Sequence, residues 1–232
     1  MNIESLIQFD KWLLLTLNGS KSLFMDDLVT ILTTASTWIP LYIALLYLVI
    51  KNNENVRQIL LVVGCAALCI CLTGTIDDTL VKPLVARWRP THDPQIGMLV
   101  DVVNGYRGGN YGFFSAHAAN TFSIAIFFSL LVRSRILTIS MILWSLVNCW
   151  TRIYLGVHYP GDIVCGLLWG GCIGVLVYYI YYRIYHCISG NINFISSQFT
   201  STGYQLEDIS VVLSVLAYTL VYVLIKTCII AF

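Results

Sequence analysis

The sequence predicts an all-α fold: a polytopic membrane bundle of about six transmembrane helices with an N-terminal amphipathic helix. Three observations predict it. Of the 232 residues, 58% are hydrophobic and 11% are charged, whereas a soluble domain carries about 25% charged residues. The apolar residues fall into runs close to the ~20 residues a helix needs to cross the hydrocarbon core. The scarce charged and titratable residues gather between those runs. A net charge of +1 gives no sign of a polyanionic partner, so no nucleic acid is expected. No repeat, low-complexity tract or linker divides the chain, and a single membrane domain over residues 1–232 is expected.

The elements follow in order. The opening MNIESLIQFDKWLLLTLNGSKS has acids at Glu4 and Asp10 and no basic region before an uninterrupted apolar core. That pattern argues against a signal peptide and for a helix lying in the membrane interface. Asn18-Gly-Ser matches a glycosylation triplet, a pattern too short to carry weight. Spans are predicted near Leu28–Ile50, Ile59–Thr79, His117–Val132, Ile136–Leu155, Pro160–Cys187 and Ile209–Phe232. Eight cysteines lie in or beside these runs, none in a Cys-x-x-Cys pair, and read as small buried hydrophobes.

Six spans place alternate connections on opposite sides. One side carries Lys51, Arg57, Arg133, Arg135 and Arg183 in its turns. Basic loops favour the cytoplasm, so this side is expected to be cytoplasmic. The other side carries both termini, segment 80–116 and the turn near 156, together with Lys82, Arg87, Arg89, Arg107 and Arg152.

Three clusters on that second side carry the chemistry. The first is KPLVARWRP, 82–90. Lys82 and Arg89 are seven apart, two helical turns, a spacing that lets both point one way. The run reads either as a headgroup anchor or as an anion site. Asp78 is placed to pair with Lys82, while Asp77 has no evident partner. The second is YGFFSAHAANT, 111–121. Ser115 takes a helix N-cap position. The N–H groups of Ala116 and His117 then lie free at a helix N-terminus, a ready anion site, with His117 in the first turn. The third is TRIYLGVHYPGD, 151–162. Gly156 ends the fourth span with Arg152 in its last turn, and Pro160 starts the fifth. Asp162, four residues after His158, is placed to reach one ring nitrogen, fix the tautomer and free the other. Fixed cations and inward N–H groups suit a phosphate. Two histidines suit metal-free cleavage of a phosphate ester, one attacking phosphorus and one protonating the leaving oxygen.

Taken together, these residues resemble the type-2 phosphatidic acid phosphatase superfamily, membrane lipid-phosphate phosphatases related to vanadium haloperoxidases. Its motifs Lys-x6-Arg-Pro, Pro-Ser-Gly-His and Ser-Arg-x5-His-x3-Asp read here as Lys82…Arg89-Pro90, Phe114-Ser115-Ala116-His117 and Thr151-Arg152…His158…Asp162. Phe114, Ala116 and Thr151 depart from the pattern, and none removes a charged or titratable group. Within the family the chain looks most like bacterial lipid A phosphatases or undecaprenyl-diphosphate phosphatases. The resemblance implies that His158 attacks phosphorus, Asp162 orients it and His117 protonates the departing oxygen. Lys82, Arg89, Arg152, Ser115 and Ala116 would bind phosphate. It implies no metal and no cofactor, a lipid phosphate substrate among membrane lipids, and no obligate protein partner. It also implies a bacterial inner membrane with the site facing the periplasm or exterior. A phosphotransferase with the same intermediate, or an anionic-lipid transporter, are the competing classes. The polar groups collect at one end of the bundle rather than along a path, which counts against transport.

Overall fold

Helix α1 (Ile3–Leu17) leaves Ile3, Leu6, Ile7, Phe9, Trp12 and Leu17 exposed and buries Leu14 in its second half. This is the pattern of a helix lying along an apolar interface. The computed structural model describes residues 2–188 and 197–231. Met1 and Phe232, the outer ends of two predicted segments, lie outside the described residues. The helices that follow are α2 (Leu23–Thr33), α3 (Ile39–Lys51), α4 (Val56–Ile70), α5 (Lys82–Val85), α6 (Ala116–Val132), α7 (Arg135–Tyr154), α8 (Pro160–Ile188) and α9 (Leu206–Ala231). Among the described residues extended pairing is confined to isolated bridges, so the fold is an all-α membrane bundle as predicted.

Among the described residues four stretches are long and apolar enough to cross a membrane: Val56–Val85, Arg135–Tyr154, Pro160–Cys187 and Leu206–Ala231. The predicted first span departs from a simple helix. It is a pair, Leu23–Thr33 and Ala35–Lys51, bent by 67°. Thr34 is extended (φ −74°, ψ 123°), and Pro40 sits at the start of α3, where it lacks an N–H to continue the ladder. Side chains take over the carbonyls freed at the break. Thr37 Oγ1 donates to Ile31 O at 2.7 Å and the Trp38 indole donates to Leu32 O at 2.9 Å. That satisfaction is what makes a break tolerable in an apolar setting.

The second predicted span runs on to Val85 through two π-helical turns, Cys71–Thr75 and Asp77–Val81. The chain then turns at Ala86 (φ 48°) and becomes extended. Lys82 and Arg89 therefore do not share a helical face, contrary to their two-turn spacing.

Helix α6 is the middle of the bundle and packs against α7 and α8. The α6–α8 contact is made by a ladder of glycines. A methyl group built on Gly166, Gly170 or Gly174 would lie 2.7, 2.4 or 2.8 Å from the carbonyl oxygens of Ser115, Ala119 and Ser123. Small residues four apart let two backbones touch, a common device between membrane helices.

The cysteines are all free, but they are not all buried. Cys65, Cys69 and Cys149 are, whereas Cys71, Cys172, Cys187 and Cys228 are exposed on the outsides of helices. In a membrane bundle the outward face also meets apolar surroundings, so an apolar run does not reveal which face is core. Asn18, in the glycosylation triplet, uses its side chain for packing. It accepts from Asp101 N at 2.7 Å and donates to Tyr154 O at 2.8 Å.

Candidate active site

The three sequence clusters meet at one end of the bundle. Segment 87–89 pairs with 110–112 in an antiparallel bridge, with Arg89 N donating to Asn110 O and Gly112 N to Arg87 O, both at 2.9 Å. Extended residues two apart point the same way, so Arg87 and Arg89 both reach the turn between α7 and α8. Gly108 and Gly112 leave room for the Arg89 side chain, because a methyl on either would lie within 3 Å of it.

His158 sits in that turn, 1% exposed. Its Nδ1 is 2.9 Å from Gly112 O, and its Nε2 is 3.1 Å from Arg89 Nη1. A carbonyl only accepts, so Nδ1 carries the proton and Nε2 keeps its lone pair, an assignment made from the partners. Burial lowers the His158 pKa well below the ordinary histidine value, and the cations of Arg89, Arg152 and Lys82 push it further the same way. The imidazole is thus neutral and holds its lone pair toward positive charge.

Asp162 is fully buried in the first turn of α8. Its Oδ2 accepts from Tyr159 N at 3.0 Å and lies 3.7 Å from His158 Nδ1, while Oδ1 accepts from Arg87 Nη1 at 2.7 Å. The orienting hydrogen bond that the spacing assigned to Asp162 is made by Gly112 O instead. Asp162 has both oxygens engaged elsewhere and remains the nearest negative charge to the ring. Its own backbone carbonyl accepts from Ser115 N at 3.2 Å, which fastens the start of α8 to the start of α6.

Ser115 caps α6, its Oγ accepting from Ala118 N at 3.4 Å. The N–H groups of Ala116 and His117 belong to the first turn, which has no intrahelical acceptor. The half-buried His117 side chain lies within the fields of Arg152, Arg89, Lys82 and His158.

Arg152 is 3% exposed in the last turn of α7. Its Nη1 donates to Thr33 Oγ1 at 2.8 Å, and its Nη2 donates to Tyr106 OH at 3.3 Å with the Tyr106 ring 5.4 Å away. Its buried Nε has no partner. A buried guanidinium donor left open is costly unless an anion completes it. Arg89 is also buried, at 9% exposure, and its pKa is lowered first by burial and then by the charge of Arg152. Two neighbouring buried arginines repel each other, and a bound dianion removes that repulsion.

Lys82 pairs with fully buried Asp77 at 2.8 Å and with Asp78. Asp77 and Lys82 are five residues apart, the spacing a π turn stacks. The partner of Asp77 was invisible to α-helical spacing for that reason. Arg107 lies apart from this cluster, exposed, with a 3.5 Å contact to Thr91 O. Sequence reasoning missed Gly112, Tyr106, Thr33 and the role of Arg87; the Arg-x-Arg pattern in extended backbone was the signal available for the last. Among the described residues no group of three His, Cys, Asp or Glu side chains is arranged to hold a metal.

A chain whose apolar helices gather two histidines, buried arginines and an open helix N-terminus at one end belongs chemically with the membrane phosphatases. The PAP2 superfamily model matches residues 58–185, more than half of the chain, and the protein belongs to that superfamily. It is similar to the lipid A 4'-phosphatase of Bacteroides thetaiotaomicron, 42% identical over 183 residues, covering 78% of this chain and 81% of that one. It is also similar to the lipid A 4'-phosphatase of Porphyromonas gingivalis, 34% identical over 181 residues, covering 77% and 75%. A decaprenylphosphoryl-5-phosphoribose phosphatase of Mycobacterium tuberculosis is 37% identical over 98 residues, covering 42% and 50%. No solved structure matches the chain.

Proposed function

We propose that the protein hydrolyses a phosphate monoester of lipid A, the 4'-phosphate foremost, through a phosphohistidine on His158. The observation that carries the reaction is the His158 ring, neutral, fixed by Gly112 O, with its Nε2 lone pair facing Arg89. The similarity to the two lipid A 4'-phosphatases supports the substrate.

Phosphate enters between the free N–H groups of α6 and the cations Lys82, Arg89 and Arg152, and fills the open Nε of Arg152. Arg89 Nη1 turns from Nε2 to a phosphate oxygen. The bound phosphate offsets the cations around His117 and lets its ring take a second proton from water; the Nε2 lone pair of His158 then bonds to phosphorus, the bond from phosphorus to the lipid oxygen breaks, and that oxygen leaves with the proton from His117. The ring is now cationic, and Asp162, 3.7 Å from Nδ1, stabilises that charge. Water gives a proton to His117 and attacks phosphorus, the N–P bond breaks, and inorganic phosphate leaves. The three cations carry the charge neutralisation for which other phosphatases use a metal, so EDTA should leave the rate unchanged. Activity lost in EDTA and restored by one divalent ion would contradict this.

The test is phosphate release by purified protein from lipid A phosphorylated at either position, undecaprenyl diphosphate and phosphatidic acid, read by mass spectrometry. Loss of the 4'-phosphate is expected. His158→Ala and His117→Ala should each lower turnover at least ~10²-fold, the lower range for general acid catalysis. Wild-type turnover in His158→Ala sinks the mechanism.

We further propose that the site opens on the non-cytoplasmic face of the bacterial inner membrane, with the turns bearing Lys51, Arg57, Arg133, Arg135 and Arg183 inside. Single cysteines at Asn104 and Arg133, in a background cleared of native thiols, test this with an impermeant thiol reagent on cells with a permeable outer membrane. Asn104→Cys should label in intact cells and Arg133→Cys only after the inner membrane is broken. The reverse pattern would place the site in the cytoplasm.

A further inference from the structure

From outside the residues matched by the family model, the Asp10 side chain reaches the first turn of α8. Asp10 lies on α1, where Asp10 and Lys11 are half-buried after an exposed first half of the helix. Asp10 Oδ2 accepts from Arg87 Nη2 at 2.6 Å, and Asp10 Oδ1 accepts from Gly161 N at 2.7 Å. That amide lies in the first turn of α8, beside Asp162. Gly161 is what permits the approach, since a methyl there would lie 2.8 Å from Asp10 Oδ2. Arg87 spends its other nitrogen on Asp162 at 2.7 Å and lies over the Tyr159 ring at 4.1 Å, which fixes the plane of its guanidinium. Burial works against the Arg87 charge, but Asp162 and Asp10 outweigh it and raise its pKa above the usual arginine value.

We propose that Asp10 is a positioning residue for the reaction, acting through Arg87 and the first turn of α8 to hold Asp162 against His158. The inference rests on the phosphohistidine reading above. Asp10 touches neither phosphate nor His158. It balances Arg87 between two carboxylates and ties α8 to a helix that lies on the bilayer. The seating of α1 in the interface thus sets the geometry under the nucleophile. Lys11 supplies a separate tether, to Asp93 at 2.9 Å and to Gln95 at 2.8 Å, that does not involve Arg87.

Asp10→Asn keeps the size and an acceptor for Gly161 N while removing the charge on Arg87. Its kcat should fall about tenfold or more, the scale of a sub-ångström to ångström misplacement, with KM within about twofold of wild type. Lys11→Gln should keep kcat within about twofold. Asp10→Asn combined with Arg87→Gln should be no slower than Arg87→Gln alone, because both act along one path; Arg87→Lys replaces Arg87→Gln if thermal unfolding in detergent shows the latter unfolded. A wild-type kcat in Asp10→Asn overturns the proposal. So do equal losses in Asp10→Asn and Lys11→Gln, which would mean α1 docking alone, or losses that multiply in the double variant. His158→Ala retaining phosphate release would instead defeat the reaction on which the proposal rests.

Discussion

Gly170→Ala adds one methyl group where α8 crosses α6, and the structure sets what that methyl must do. It would lie 2.4 Å from Ala119 O, 2.9 Å from Ala119 Cα and 3.0 Å from Ala119 C, all backbone atoms with no rotamer to yield. Ordinary contact begins at 3.4 Å, so the helices must part by 1.0 Å at this level. Overpacking of this kind costs about 1–3 kcal/mol. One turn up the ladder, Ser115 N donates to Asp162 O at 3.2 Å, the link that sets the His117 helix against the His158 turn. Opening that link by an ångström would misplace the proposed acid and nucleophile, for which ~10²-fold in rate is the expected order. Gly64→Ala is the internal control, since a methyl on Gly64 meets nothing within 4 Å. Phosphate release and thermal unfolding in detergent are measured on both variants. Gly64→Ala should match wild type while Gly170→Ala unfolds earlier and turns over slowly. A Gly170→Ala protein as stable and active as Gly64→Ala would refute the tight α6–α8 contact and the link from it to the site.

Asp77→Asn should raise KM roughly tenfold, about 1.4 kcal/mol, with a smaller change in kcat, because the buried carboxylate that aims Lys82 loses its charge; steady-state kinetics decide this, and an unchanged KM would mean Asp78 suffices. His158 is held neutral in the folded protein, whereas in the unfolded chain it takes a proton below about pH 6.5. The unfolded state then binds the extra proton, so folding stability falls as pH drops, by up to about 1.4 kcal/mol per pH unit from this group. The fall in thermal stability from pH 7 to pH 5 should be smaller in His158→Asn than in wild type, and an equal fall would deny the depressed pKa. Arg152→Lys should lose about 10²-fold in kcat/KM, since a compact ammonium cannot span the separate positions of Thr33, Tyr106 and a phosphate oxygen that the planar guanidinium fork reaches; phosphate release measures it, and near-wild-type kinetics would remove Arg152 from the phosphate cradle.

The parts of the fold legible in the sequence are those that side-chain identity dictates. Apolar length marked the long spans, Ser115 marked the start of α6, and Gly156, at φ 64°, marked the stop after α7. The charged positions of the three clusters were legible because charge is rare in this chain. What stayed hidden depends on backbone. The partner of His158 Nδ1 is the carbonyl of Gly112, and a carbonyl has no letter in the sequence. The pairing of Asp77 with Lys82 needs π turns, whose register leaves no periodic mark in an apolar run. The break at Thr34 is written only as a Thr/Ser-rich stretch and Pro40, which a continuous span also tolerates. Gly166, Gly170 and Gly174 are spaced for a helix contact, but spacing alone does not say whether lipid or a helix fills it. The reach of Asp10 to Arg87 joins residues 77 apart, beyond any local pattern.

Helix α6 has 17 residues, a rise of about 25 Å, against a hydrocarbon thickness of about 30 Å. Were Arg133 set at the water boundary on one side, the other end would stop short of the opposite boundary by several ångströms. On the proposed function, the phosphate cradle at that end would be a notch cut below the headgroup plane, with α6 as its ruler. A phosphate group would gain the cradle only if drawn down to that depth, and an acyl-anchored molecule would already sit at the right height. Selection against water-soluble phosphate esters would then come from vertical position before any headgroup is read, and lengthening α6 by one turn should lift the site into water and blur that discrimination.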